Sequence, residues 1–299
     1  MKEDQPSSTA KLITRSLLLM SHDPDHASKV PPRSAEFGRW FLEACGENAG
    51  RFDALARKAW YRQLLFWVGQ TLTPGLLIHY ALRKRRIEEI VRENIAAGAQ
   101  QVIVLGAGFD TLAWRLHREF PNVTFWELDH PATQNVKRSA LTAHEQPGDN
   151  FYFAALNLAS DRLSDALRQS SVFQGGCQSV FVAEGLLMYL EAKKISEVFQ
   201  DAHVAGGPAS QFVFTFLEPQ PDGRVGFALP SRFVDWWLRQ RGEPFRWGIA
   251  EERLGAFLAV FGWHLQETVT APVLRMRYVP ESQPQTVVGD LIGVGQWKK

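Results

Sequence analysis

Residues 101–111 read Gln101-Val102-Ile103-Val104-Leu105-Gly106-Ala107-Gly108-Phe109-Asp110-Thr111. A run of β-branched and apolar residues, Val102 to Leu105, passes straight into Gly106-Ala107-Gly108, and LAWRLHREF, which has helical spacing, follows from residue 112. A buried strand, a tight glycine turn and a helix start are the opening unit of a nucleotide-binding α/β sheet. Gly106 can take a backbone angle closed to other residues, and Gly108 lets a ligand approach the main chain. The helix behind them aims free N–H groups and its positive dipole end at the same spot. The dinucleotide fingerprint would need a third glycine where Thr111 stands. Further on, residues 123–128 form a second strand-like run that ends at Asp129. An acid at the tip of the second strand is where such folds hold ribose hydroxyls.

Outward from this unit, strand and helix alternate. Helices are expected at about 131–144, 161–170 and 191–206, and strands at 151–156, 179–185 and 211–219. Two final strand-like runs, 264–270 and 273–279, follow a helix at 251–261. Repeated alternation predicts an α/β fold: a mostly parallel sheet with helices on both faces. Before it, residues 35–98 are largely helical, with Pro74 suited to a helix start and Gly98 to a stop. A helix from Thr9 to Met20, with Lys11 and Arg15 one turn apart, and a proline-rich loop at 21–34 precede them. We therefore expect residues 1–98 to cap the same domain whose ligand-binding part is 99–299. Residues 219–247 are rich in Pro, Gly, Arg and rings (Phe227, Phe233, Trp236, Trp237, Phe245, Trp247), and a lid is expected at about 219–262.

The totals exclude several classes. A formal net charge of +1 over 299 residues argues against a nucleic-acid or membrane-surface role driven by charge. Cys45 and Cys177 are the only cysteines and have no metal-ligand spacing, so neither a zinc site nor a disulfide framework is expected. The opening MKEDQPSSTAK has no secretory pattern and the LLLM at 17–20 is far too short to span a bilayer, which predicts a cytoplasmic protein.

In a parallel sheet the ligand sits beyond the carboxyl ends of the strands. The residues there are Gly106 and Gly108, Glu127 and Asp129, Asn157, and Glu184. This row of acceptors and bare backbone contains no Ser–His pair, cysteine nucleophile, Walker lysine or GxSxG, which removes most hydrolase and phosphate-transfer readings. An acidic rim suits a nucleoside carrying sulfonium and ammonium charges better than a pyrophosphate.

At these residues a resemblance emerges. LGAGFDTLAWRL (105–116), WELDHPATQNVKRSAL (126–141) and FVAEGLLMYL (181–190) resemble signature segments of the leucine carboxyl methyltransferase family, a branch of the class I S-adenosyl-L-methionine-dependent methyltransferases. RKRRIEE (83–89) is similar to the family's helix before the first strand, GEPFRWGIAEERLGAFLAVFGW (242–263) to its C-terminal lid segment, and TAKLITRSLLLMSHDP (9–24) to its opening helix. The resemblance implies a Rossmann-like fold with a seven-stranded sheet, S-adenosyl-L-methionine as cofactor, and a role for each matching residue. Gly106 and Gly108 would underlie the methionine part, and Asp129 would accept the ribose hydroxyls with Glu127 in support. Arg83 would clamp the cofactor carboxylate, with Arg85 as the fallback; Glu184 would face its ammonium group. Lys11 or Arg15 would reach the same carboxylate from the first helix. One departure stands out: the family has Asp-Leu after the third strand where this chain has Asn157-Leu158, and the amide oxygen can still accept from the adenine amino group.

A sulfonium methyl is already activated. A carboxylate acceptor, ionised at neutral pH, needs no base, whereas a phenol or alcohol does. The strand tips offer no plain base, and His130 reads as a surface residue. The expected activity is therefore O-methylation of a small molecule, at a carboxylate ahead of a hydroxyl oxygen, with Tyr189 and Arg246 as candidate contacts to an acidic acceptor. Three alternatives stay open: methylation of a protein's C-terminal leucine carboxylate, a nicotinamide-dependent dehydrogenase, and a non-catalytic cofactor-binding protein.

Overall fold

The computed structural model describes residues 6–227, 238–281 and 287–297. Five helices come first: α1 (Ser8–Ser21), α2 (Ser34–Ala44), α3 (Ala49–Ala56), α4 (Ala59–Leu72) and α5 (Leu76–Ala96). The sheet then begins with β1 (Gln101–Leu105), and alternates through α6 (Leu112–Glu119), β2 (Thr124–Asp129), α7 (Pro131–Thr142), β3 (Phe151–Ala155), α8 (Leu163–Arg168), β4 (Ser179–Ala183), α9 (Ala192–Ala205) and β5 (Gln211–Phe216). The last elements are α10 (Glu251–Val260), β6 (Trp263–Val269), α11 (Ala271–Tyr278) and β7 (Leu291–Trp297).

The strands form one seven-stranded sheet in the order β3-β2-β1-β4-β5-β7-β6. The first five are parallel, and β7 runs antiparallel between β5 and β6. Because successive side chains of a strand point to opposite faces, β1 divides itself between two cores. Val102 and Val104 pack with the α5 and α6 side, while Ile103 and Leu105 pack with the α9 side. The order reverses at β1, between β2 and β4. Connections leave this point in opposite directions and open a crevice at the carboxyl ends, where the glycine turn lies.

The tail differs from the sequence expectation. Residues 273–279 do not form a strand: 273–278 lie in α11, whose first turn holds Pro272, and the seventh strand is β7. Glycines hide β7 from a propensity reading. A Cβ on Gly293 would lie 2.7 Å from the Phe214 ring, so a side chain there would collide with the neighbouring strand's aromatic. Of the rings expected in a lid, Phe233, Trp236 and Trp237 lie outside the described residues.

Candidate active site

A cavity of about 400 Å³ lies at the carboxyl ends of β1, β2 and β4, beneath the start of α1. Gly106 has φ +60°, and a Cβ on it would come 2.7 Å from the Leu186 side chain. Both the backbone angle and the contact therefore exclude a side chain at this elbow. Ala10 of α1 sits over the same turn, 3.6 Å from where a Cβ of Gly108 would be.

Asp129, at the tip of β2, accepts from the Gly108 N–H at 2.7 Å and from the His130 N–H at 2.7 Å, one bond to each carboxylate oxygen. Burial pushes its carboxyl up from the ordinary aspartate value, and the two N–H donors oppose the shift. Each oxygen keeps a lone pair for a further donor, and the residue lines the cavity. Glu127 does not: it is buried two residues back, with Lys137 Nζ at 2.6 Å. That pair lies at ion-pair distance without hydrogen-bond angles on either atom. Burial, against the opposing pull of Lys137, pushes the Glu127 carboxyl up to about 7. The expected supporting contact to a ligand is thus replaced by a structural ion pair.

Beyond β4 the lining is a charged network. Arg83 Nε and Nη2 donate to Glu184 Oε1 at 3.0 and 2.7 Å, and its Nη1 donates to both oxygens of Asp290 at 2.8 Å. Lys84 Nζ donates to Asp110 at 2.7 Å and to Glu184 Oε2 at 3.1 Å. Behind Asp290 stands the fully buried His79, with Nε2 at 2.6 Å. Burial alone would raise Asp290 and Asp110; Arg83 and His79 for the first, Lys84 and Lys137 for the second, hold both well below the usual carboxylate range. Thr215 also bonds Asp290 and accepts from the Gly185 N–H at 2.8 Å, which ties the network to the turn after β4.

Of the other sequence candidates, Asn157 and Leu158 line the cavity, as do His130, Tyr189 and Arg246. Asn157 Oδ1 accepts from the Ala159 N–H at 3.1 Å, and Arg246 pairs with Glu191 at 2.9 Å. Arg85 points outward to Glu89, 3.4 Å away. Lys11 and Arg15 do not reach this cavity: both pair with Glu47, at 4.0 and 2.6 Å. The sequence reading missed Lys84, Asp110, Asp290 and Glu243. Glu243 accepts from the Ser8 and Thr9 N–H groups at 3.1 and 3.2 Å and from the Thr9 hydroxyl at 2.5 Å, so it clasps α1 over the cavity.

A second cavity of about 540 Å³ adjoins the first, and Thr9 and Tyr189 line both. Its other walls are largely apolar, from Leu65 and Val68 of α4, Tyr80 of α5, and Phe227, Leu238 and Phe245 around the segment that follows β5. Trp247 lies elsewhere, packed on Phe257 in the core.

Strand order, glycine elbow and acid rim define the class: these are the features of class I S-adenosyl-L-methionine-dependent methyltransferases. A crystal structure from Thermobifida fusca, provisionally titled a methyltransferase, has the same fold at 17% identity, with a TM-score of 0.53 over 87% of this chain and 94% of that one. The chain belongs to the leucine carboxyl methyltransferase family, whose profile matches residues 36–203. A relative from Mycolicibacterium paratuberculosis, provisionally named an S-adenosyl-L-methionine-dependent methyltransferase, is 30% identical over 285 residues, covering 87% of this chain and 86% of that protein. A similarly named Mycobacterium tuberculosis protein is 37% identical over 130 residues, so the match spans 43% of this chain and only 42% of that relative's length.

Proposed function

We propose that this chain methylates a carboxylate oxygen of a small apolar acid, using S-adenosyl-L-methionine. The observation that carries this reading is the pairing of two unlike cavities, one lined by paired charges and one mainly apolar, across Thr9 and Tyr189. The first cavity fits the cofactor. Gly106 and Gly108 present bare backbone to it, and its acids suit a ligand bearing two positive charges. Gly106 and Gly108 would underlie the methionine part, Asp129 would accept the ribose hydroxyls, and Asn157 with Leu158 would meet the adenine edge. Glu184 would take the ammonium group, and Arg83 with Lys84 would draw in the carboxylate. Bound there, the cofactor supplies a sulfonium methyl already activated toward an oxygen nucleophile.

The two residues shared by the cavities argue for an acceptor that arrives ionised. Burial holds the Tyr189 phenol above its ordinary value, so it stays neutral near pH 7 and donates rather than removes a proton. The Thr9 hydroxyl is committed to Glu243. A carboxylate needs no base, so neither residue has to act as one. Positioning and exclusion of water are what the site contributes, and such alignment is worth roughly 7–11 kcal/mol in favourable cases. The apolar walls select the body of the acid.

The test is incubation with cofactor and a panel of aliphatic and aromatic acids, with mass spectrometry for a gain of one CH₂ and alkaline hydrolysis to show an ester. Methylation of a peptide ending in leucine, with none of the small acids, would move the reading to the family's protein-tail chemistry. Binding of NAD in place of S-adenosylhomocysteine in calorimetry would sink it.

A further inference from the structure

Helix α4 reads AWYRQLLFWVGQTL, and none of its residues is buried. A helix this apolar is normally covered on every side. Its three faces have different surroundings. Tyr61, Leu65, Val68 and Leu72, at helical spacing, line the second cavity. Arg62 and Phe66 turn toward the loop at His26, where Phe66 packs on the imidazole and Arg62 approaches Asp23. The remaining face carries Trp60, Leu64 and Trp67, spaced i, i+4, i+7, and they are 58%, 46% and 66% exposed.

In the stretch of chain that leads into and carries this stripe, cations outnumber acids. From Ala49 to Leu72 there are four cations, Arg51, Arg57, Lys58 and Arg62, against one acid, Asp53. Asp53 is buried and already paired with His22 and Arg57. Arg51, Arg57 and Lys58 are exposed. The near-zero net charge of the whole chain conceals this local excess.

We propose that α4 seats the protein on an anionic lipid surface, with Trp60, Leu64 and Trp67 in the interface and Arg51, Arg57 and Lys58 against the head groups. Tryptophan rings with neighbouring cations are what helices lying in that plane present. No helix among the described residues is long and apolar enough to cross a membrane, so the contact is with the surface only. A second copy of the chain fits this face less well. The stripe offers on the order of 400 Å², about half of what each partner contributes to a stable dimer. Docking rests on α4 and the cations that precede it, and does not depend on the methyl-transfer reading.

Flotation of the full chain with vesicles of phosphatidylcholine and phosphatidylglycerol, against pure phosphatidylcholine, tests it. The chain should float with the anionic vesicles, shift its tryptophan emission to the blue, and release at high salt. Arg57→Gln and Lys58→Gln should each weaken partitioning about fivefold. Trp60→Ser with Trp67→Ser should weaken it about tenfold or more, while S-adenosylhomocysteine affinity, read by calorimetry, stays as in the parent. Absence of flotation, or a double variant that floats like the parent, overturns the proposal. So does a concentration-dependent dimer that the double variant loses, which would give this face to a second copy.

Discussion

The two cavities that meet at Thr9 and Tyr189 are built from opposite materials. The first rests on strand tips and is fixed by charge: Arg83, Lys84, Asp110, Glu184 and Asp290 hold one another with little exposure to solvent. The second lies among helices of the cap and is walled mainly by apolar side chains, whose contacts have no direction, with Lys11, Arg15, Glu47 and Arg241 also in its lining. A charged, directional lining recognises one ligand through fixed donors and acceptors. An apolar lining accepts many bodies of the right volume.

The comparison breaks most visibly if the charged network is not what fixes the first cavity. Arg83→Gln leaves Asp290 and Glu184 buried without their guanidinium, and we expect a loss of about 3–5 kcal/mol in urea unfolding. Cofactor affinity in calorimetry should fall with it. A loss below about 1 kcal/mol would mean that water or His79 and Lys84 can replace Arg83, and that the network is ornamental to the fold.

Next is the pH dependence of the pair behind Asp129. Burial lifts Glu127 to about 7, so the folded chain holds this proton more tightly than the unfolded chain does. Stability from this source is fully present below the ordinary glutamate pKa of about 4.3 and is lost as pH rises through about 7. The loss is up to about 3–4 kcal/mol across the window. His117, lowered by burial, pulls the other way in the same range, so the wild-type curve alone decides nothing. The difference between the wild type and the double variant Glu127→Gln, Lys137→Met should carry the slope; parallel curves would show that the pair stays charged throughout.

Much of the first cavity was legible in the sequence, and little of the second. Val102 to Leu105 is buried on both faces, so it stands out as an apolar run, and Gly106 and Asp129 follow from where strands end. Asp290 could not be found that way. Its partner Arg83 lies 207 residues away, and no local pattern links them. Lys84 sits in a run of four cations, a pattern that in sequence resembles a solvated face, yet of Arg83 to Arg86 only Arg85 is exposed. The spacing of Tyr61, Leu65, Val68 and Leu72 is visible in the sequence as a helix face. What faces it is not, because α4 has apolar residues nearly all round and the periodicity does not pick out one side. The seventh strand escaped for a simpler reason: Gly293 and Gly295 remove the side chains that a strand pattern needs.

A smaller effect is expected at the elbow itself. Gly106→Ala places a side chain at φ +60° and drives its Cβ toward Leu186. The backbone strain costs about 1–3 kcal/mol. Leu186 lines the cavity and would have to move, so cofactor affinity should weaken about tenfold. Unchanged affinity in calorimetry would mean that the bare backbone is not used by the ligand.

The smallest change we expect is the one that most sharply separates the two cavities. Leu65→Trp adds a large ring to the α4 wall of the second cavity without touching the first. If the acceptor's body lies there, its KM should rise about tenfold, while the dissociation constant for S-adenosylhomocysteine stays within about twofold. KM would rise with kcat nearly constant, because the lost space serves ground state and transition state alike. A variant that loses cofactor affinity and acceptor affinity together would show that the cavities act as one site. A variant that loses neither would place the acceptor elsewhere, with the apolar chamber left to the packing of the cap.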